Sequence, residues 1–178
     1  MTMIKGLHHN AYRCRDTEET RKFYEDFLGL PLIEALKIGE TKTGRNANVL
    51  HTFYQMDDGS CLAFFDAPDE PFEFKQQNDF DLHIALTISE AELEPMLEKG
   101  KSLGIESRGV AEHGFVRSIY FRDPNGYVIE LCAAPETVDP TLFNPGDARE
   151  NIADWQRAKA NCGSVSSRQK KAGSKLPA

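Results

Sequence analysis

The sequence predicts an α+β fold built as two tandem β-α-β-β-β modules, followed by a C-terminal helical extension. Three observations carry this reading. His9-Asn10-Ala11-Tyr12-Arg13-Cys14-Arg15-Asp16 lies over His83-Ile84-Ala85-Leu86-Thr87-Ile88-Ser89-Glu90, with His, Ala and a closing acid in common and apolar residues at the fourth and sixth places. Each copy then runs into a segment of helical period. After each helix come two strands joined by a tight turn, Asp57-Asp58-Gly59 in the first half and Asp123-Pro124-Asn125-Gly126 in the second. Both turns use residues that tolerate left-handed or proline-fixed backbone.

Apolar and polar residues mix at strand spacing from Leu7 to Cys14, and Asp16-Thr17-Glu18-Glu19 then opens a helix with an acidic first turn. Phe23, Phe27 and Leu28 share one helical face, with Tyr24 beside them. Gly29 closes the helix and Pro31 keeps it from restarting. Residues 38–47 read as an exposed hairpin connection, and Leu50–Tyr54 as part of the next strand. Phe53, Phe64 and Phe65 either wall a substrate or fill the core, with core the safer assignment. The acidic stretch Asp66–Asp79 carries two prolines and marks the module boundary, giving a first module at 4–66, a linker at 67–79 and a second module at 80–134. In the second module Leu82–Ile88 is a strand, a helix starts at Ser89 and runs to Gly100 or a little beyond, and Gly104-Ile105 ends it. Residues 135–160 form the extension, in which Asp147–Ala160 predicts an amphipathic helix burying Ile152 and Trp155. The Ser-, Gly- and Lys-rich segment 161–178 is expected to be a disordered tail.

Composition narrows the function classes. The 178 residues are 40% hydrophobic, enough for an ordinary core. A formal charge of -7 opposes a phosphate-backbone partner, so nucleic acid is not expected. No apolar run approaches the roughly 18 residues of a spanning helix, and MTMIKGLHHN has no apolar signal core. Cys14, Cys61, Cys132 and Cys162 lie far apart without a CxxC pair, which reads as reduced, mostly buried thiols. These features predict a cytoplasmic protein with neither membrane nor nucleic-acid partner.

Strand alternation places His9, Ala11 and Arg13 on one face, His83 and Ala85 on one face, and Val128, Glu130 and Cys132 on one face. If those faces line one sheet, two imidazoles and a carboxylate converge. Such a set suits a divalent metal, ferrous iron first, and also accepts manganese, nickel or zinc. Glu130 interrupts an apolar run, so once buried it needs a partner. His51 has no histidine at the matching place in the second half and is assigned to packing or a pocket wall.

HHNAYRCRDTEETRKFYEDFLGLPL and SIYFRDPNGYVIEL resemble the opening and closing signatures of the vicinal-oxygen-chelate superfamily, which includes glyoxalase I, extradiol dioxygenases, fosfomycin-resistance proteins, methylmalonyl-CoA epimerase and bleomycin-binding proteins. The resemblance covers roughly residues 4–134. It implies paired modules forming a cupped mixed sheet around a metal held by His9, His83 and Glu130, with His8 pointing away. It also implies a small-molecule substrate and a homodimer in which His9 and Glu130 can come from different chains. The place matching Glu130 in the first half is Ala63, so no fourth protein ligand stands there and the glyoxalase I arrangement loses support. Arg13 sits where glyoxalases carry a glutathione-binding arginine, and equally reads as a charge at a strand end.

The segment from His113 through Ile119, Tyr120, Asp123, Pro124 and Gly126 to Glu130 is similar to the extradiol dioxygenase signature, with Ala111 as a departure. The resemblance therefore implies a ring-cleaving dioxygenase for a catechol-like substrate, with His113 shuttling a proton and Tyr120 donating a hydrogen bond. Two alternatives stand beside it. One is a glyoxalase-like lyase or isomerase, or a thiol transferase, on the same triad; the other is a non-enzymatic binding protein of the bleomycin-resistance kind.

Overall fold

Asp16 sets the first helix in place: its side chain accepts the backbone N–H of Glu19 at 2.8 Å, capping the turn that begins at Thr17. In the computed structural model, which describes residues 3–134 and 145–172, the first module comprises β1 (His9–Cys14), α1 (Thr17–Arg21), β2 (Leu32–Glu40), β3 (Asn46–Gln55) and β4 (Cys61–Asp66). Helix α1 continues as a π-helical turn over Lys22–Phe27. Arg21 bridges that wider turn, reaching Glu18, Glu25 and, five residues on, Asp26 at 2.8 Å. The second module comprises β5 (His83–Thr87), α2 (Glu90–Ser102), β6 (Ser107–Glu112), β7 (Arg117–Arg122) and β8 (Val128–Ala133). The hairpin connection is shorter than the sequence implied, because β2 extends to Glu40.

Each module forms one four-stranded mixed sheet, in the orders β1-β4-β3-β2 and β5-β8-β7-β6. Within each, the first strand pairs in parallel with the last, and the duplication is visible in the register. Ala11 lies opposite Ala63 as Ala85 lies opposite Glu130, and Phe53 meets Ala63 as Tyr120 meets Glu130. One face of each sheet is apolar and covered. Tyr54, Leu62 and Phe64 of the first sheet and Ile119, Phe121 and Ile129 of the second share a core with Phe23, Tyr24, Phe27, Leu93 and Leu97 from the helices. The other face carries the candidate site residues.

A buried polar latch joins the modules. The Asp123 carboxylate accepts from Tyr24 Oη at 3.0 Å, Asn125 Nδ2 at 2.9 Å and the backbone N–H groups of Asn125 and Tyr127 at 2.9 and 2.7 Å. Asn125 also accepts the Arg15 N–H, and Tyr127 Oη donates to the Arg13 carbonyl. Arg13 is thus a structural clamp. Its guanidinium donates to the Ala67 and Glu70 carbonyls at 2.8 and 2.9 Å and stacks on Phe72, holding the start of the linker.

The two turns make an internal control. Gly59 and Gly126 both have positive φ, 84° and 95°, but a Cβ on Gly59 would meet open space, whereas one on Gly126 would lie 2.4 Å from the Lys75 carbonyl oxygen. Gly59→Ala should therefore cost only the backbone term, about 1 kcal/mol. Gly126→Ala should cost about 2–3 kcal/mol in urea unfolding, because the linker must also move.

The C-terminal unit, Glu136–Ala178, contains α3 (Pro145–Ala172). The helix extends twelve residues past the expected end at Ala160, into the segment expected to be disordered. No proline interrupts the sequence between Pro145 and Pro177, and Arg168-Gln169-Lys170-Lys171-Ala172 are good helix formers. Ile152 and Trp155 are exposed rather than buried, since α3 is the one described element of its unit and offers them nothing to pack on there. Residues 135–144 and 173–178 of the expected extension and tail lie outside the described residues. Among the described residues no helix is long and apolar enough to cross a membrane, and Cys14, Cys61 and Cys132 are free thiols, the last half-buried.

Candidate metal centre

The open face of the second sheet gathers four of the five predicted site residues. Register puts Glu130 beside Ala85 on one side and Tyr120 on the other, with His83 two places along β5. His83 Nε2 lies 3.3 Å from Glu130 Oε2. Tyr120 Oη donates to Glu130 Oε1 at 3.2 Å and is 2.9 Å from His113 Nε2. His113, in the exposed β6–β7 connection, is therefore the outer end of a chain that runs through Tyr120 to Glu130.

His83 Nδ1 contacts the Asp79 carbonyl at 2.8 Å. A carbonyl only accepts, so Nδ1 carries a hydrogen and Nε2 is the ring nitrogen presented to Glu130. Nε2 and a carboxylate oxygen face each other across 3.3 Å, and without a proton on Nε2 both are acceptors. Two acceptors at that separation call for a cation between them, a proton or a metal ion. Donors bound at ~2.1 Å to one ion, near a right angle, stand roughly 3.0–3.3 Å apart, so the pair fits a divalent ion without rearrangement. Glu130 is 8% exposed, which makes an unpartnered carboxylate costly.

Two residues that sequence reasoning missed brace this arrangement. Arg108, opposite Tyr120 across β6–β7, lays its guanidinium 4.3 Å from the Tyr120 ring centroid. Asp79 ion-pairs with Arg108 while its carbonyl orients His83. The two are 29 positions apart and belong to no motif, so nothing in the sequence pairs them. Burial, and after it the Glu130 charge, raises the Tyr120 phenol above its ordinary value, so the hydroxyl keeps its proton at neutral pH.

His9 is elsewhere. It lies on the open face of the first sheet, its Nδ1 2.7 Å from His8 Nδ1 and its ring edge-on to Phe53. Among the described residues no group of three His, Cys, Asp or Glu side chains could hold a metal. One chain thus brings together His83 and Glu130, and not His9. The reason is topological: alternation assigns each ligand to an open face, but the two faces belong to separate sheets.

A family model described as the Glyoxalase/Bleomycin resistance protein/Dioxygenase superfamily matches residues 6–131. Metallothiol transferase FosB of Shouchella clausii (strain KSM-K16) is 30% identical over 135 residues, spanning 72% of this chain and 80% of that protein. A variant of the fosfomycin resistance protein FosX from Listeria monocytogenes, complexed with Mn(II) and dihydroxypropylphosphonic acid, matches with a TM-score of 0.53 at 25% identity, over 75% of this chain and 96% of that one. A glyoxalase/dioxygenase from Nostoc punctiforme shares the fold, with a TM-score of 0.56 at 24% identity over 74% and 92% of the two chains. With the family match spanning both modules, and the paired mixed sheets and duplicated register following the same plan, this chain belongs to the Glyoxalase/Bleomycin resistance protein/Dioxygenase superfamily.

Proposed function

We propose that the protein is a divalent-metal-dependent transferase that adds a thiol to a small oxygen-bearing electrophile such as an epoxide. The metal is held by His83 and Glu130 of one chain and His9 of a second copy. The facing acceptors His83 Nε2 and Glu130 Oε2 carry this reading. The likeness to a metallothiol transferase supports thiol transfer over ring cleavage, and the Mn(II) in the FosX complex makes Mn(II), rather than Fe(II), the first metal to test. In this reading a homodimer supplies the third ligand, because His9 lies on a separate sheet from His83 and Glu130 and meets His8 through Nδ1 rather than Nε2.

A divalent ion held by His83 and Glu130 with the partner's His9 would supply Lewis-acid polarisation of the substrate oxygen. The chain's own residues manage the proton. Attack by the thiolate forms a C–S bond and breaks a C–O bond, whose electron pair stays on oxygen. Tyr120 Oη, held as a donor, protonates that oxygen, and His113 Nε2 resupplies Tyr120 from solvent, balancing the proton the thiol released. Arg108, stacked over Tyr120, is the cation beside this chain, although Asp79 partly neutralises it.

The ring-cleaving dioxygenase reading keeps one specific observation in its favour, the 2.9 Å contact between His113 and Tyr120. A single panel separates the readings. Protein loaded with Mn(II), or anaerobically with Fe(II), is offered fosfomycin with glutathione or cysteine, methylglyoxal with glutathione, and catechols. A metal-dependent thiol adduct, detected by mass and reduced ~100-fold by Tyr120→Phe, is the expected result. Catechol cleavage without adduct formation would move the assignment to the dioxygenase, and failure to bind any divalent metal would leave a non-enzymatic binding protein.

A further inference from the structure

The open face of the first sheet is the aromatic counterpart of the metal-binding face. Registers align His51 with Phe65 and Phe53 with Ala63, where the second sheet has Ser118 with Cys132 and Tyr120 with Glu130. The polar positions of one copy are thus aromatic or small in the other. His51 stacks on Phe65 with centroids 3.8 Å apart and planes 12° apart, and its centroid lies 4.2 Å from that of Phe53. Phe53 in turn lies 5.4 Å from the ring of His9.

These rings are not core filling. Phe64, on the opposite face, is wholly buried, while Phe53 and Phe65 remain partly exposed. His51 is polarised in one sense. Its Nδ1 is 3.0 Å from the Phe64 carbonyl, which only accepts, so Nδ1 carries a hydrogen and, in that tautomer, Nε2 is the acceptor. The face therefore offers a cluster of partly exposed aromatic rings beside an imidazole nitrogen, with the candidate ligand His9 adjacent, its centroid 6.2 Å from that of His51. Stacked rings favour a planar π-system over an aliphatic chain of equal size.

Resting on the shared metal site proposed above, we infer that His51, Phe53 and Phe65 are the recognition wall of that site, and that the substrate carries a planar aromatic group bearing a hydrogen-bond donor. The ring lies against Phe53 and Phe65 and the donor meets His51 Nε2. This assigns chemistry to one duplicate and recognition to the other, brought together when two chains associate.

The test uses the full chain loaded with Mn(II) and two phosphonate probes, phenylphosphonate and propylphosphonate, compared at a pH where both are dianions, with binding followed by water-proton relaxation. Wild type should bind the phenyl probe about 10-fold more tightly. Phe53→Leu and Phe65→Leu, which keep apolar volume, should each reduce that ratio below about 3-fold with Mn(II) stoichiometry retained. His51→Phe keeps the stack but removes the acceptor, and should abolish any advantage of hydroxyphenylphosphonates over phenylphosphonate. A wild-type ratio near one with Mn(II) bound, or a ratio that survives both Leu variants, overturns the wall while leaving the metal site standing. Failure to bind Mn(II) at all overturns both.

Discussion

Glu130→Gln should lower Mn(II) affinity by at least ~100-fold, since even residues that merely orient a metal ligand are worth ~10–100-fold. The metal-free variant should be as stable as wild type or more so. Glu130 is 8% exposed, so the neutral amide removes a charge that is costly to bury while it can still meet Tyr120 and His83. The diagnostic result is therefore a split: Mn(II) raises the Tm of wild type but not of the variant, while the metal-free Tm does not fall. A structural role for Glu130 predicts the reverse, a lower metal-free Tm with metal stabilisation intact. The same variant tests where the third ligand comes from. His9→Ala and Glu130→Gln chains, each inactive alone, should on mixing regain about a quarter of wild-type sites. Random exchange makes half the dimers mixed, and each of those has one intact pair of contributions. No recovery on mixing would place the third ligand elsewhere.

The second large effect concerns stability. Asp123→Ala leaves the Tyr24 hydroxyl, the Asn125 amide and two backbone N–H groups without their buried acceptor. The expected loss is about 3–5 kcal/mol, seen as a Tm lower by roughly 10–15 °C. Its pH dependence has a definite sign. Burial raises the Asp123 pKa, outweighing the hydrogen bonds from Asn125, Tyr127 and Tyr24 that lower it. The folded state thus holds the proton more tightly than the unfolded state. The corresponding stabilisation is fully present below the ordinary carboxylate value of ~3.9 and is lost as pH rises through the raised folded value. The gap between wild type and Asp123→Ala should widen on acidification from neutrality and be flat above that window. A gap that narrows on acidification would mean the hydrogen bonds, not burial, dominate.

Much of the fold was legible because duplication repeats its signals. Two acid-opened helices and two Gly-containing turns, at Gly59 and Gly126, each mark the same place twice. Alternation put His83 and Glu130 each on a strand face, and the direct pairing of β5 with β8 is what brings those two side chains together. The position of His9 relative to them was not, because strand period fixes a face and not whether two faces of one chain meet. Asp79 and Arg108 were invisible for a related reason: their contact depends on how the linker closes back on β6. The π-helical turn escaped because Phe23, Phe27 and Leu28 fit an α-helical stripe equally well. Phe53 and Phe65 could not be told from Phe64 by hydrophobicity, although only Phe64 lies on the helix-covered face.

The linker has a seam, and its position matters for anyone recombining this fold with its relatives. Up to Phe74 the segment belongs mechanically to the first half, with Arg13 gripping Ala67, Glu70 and Phe72, and Arg15 lying over Phe74. From Lys75 onward it belongs to the second, through Gln77 on Gly126 and Arg122 and through Asp79 on His83 and Arg108. A chimera cut between Phe74 and Lys75 transplants each half with its own straps. One cut at the edge of β5 would deliver the strand carrying His83, the proposed ligand, without the residue whose carbonyl orients it.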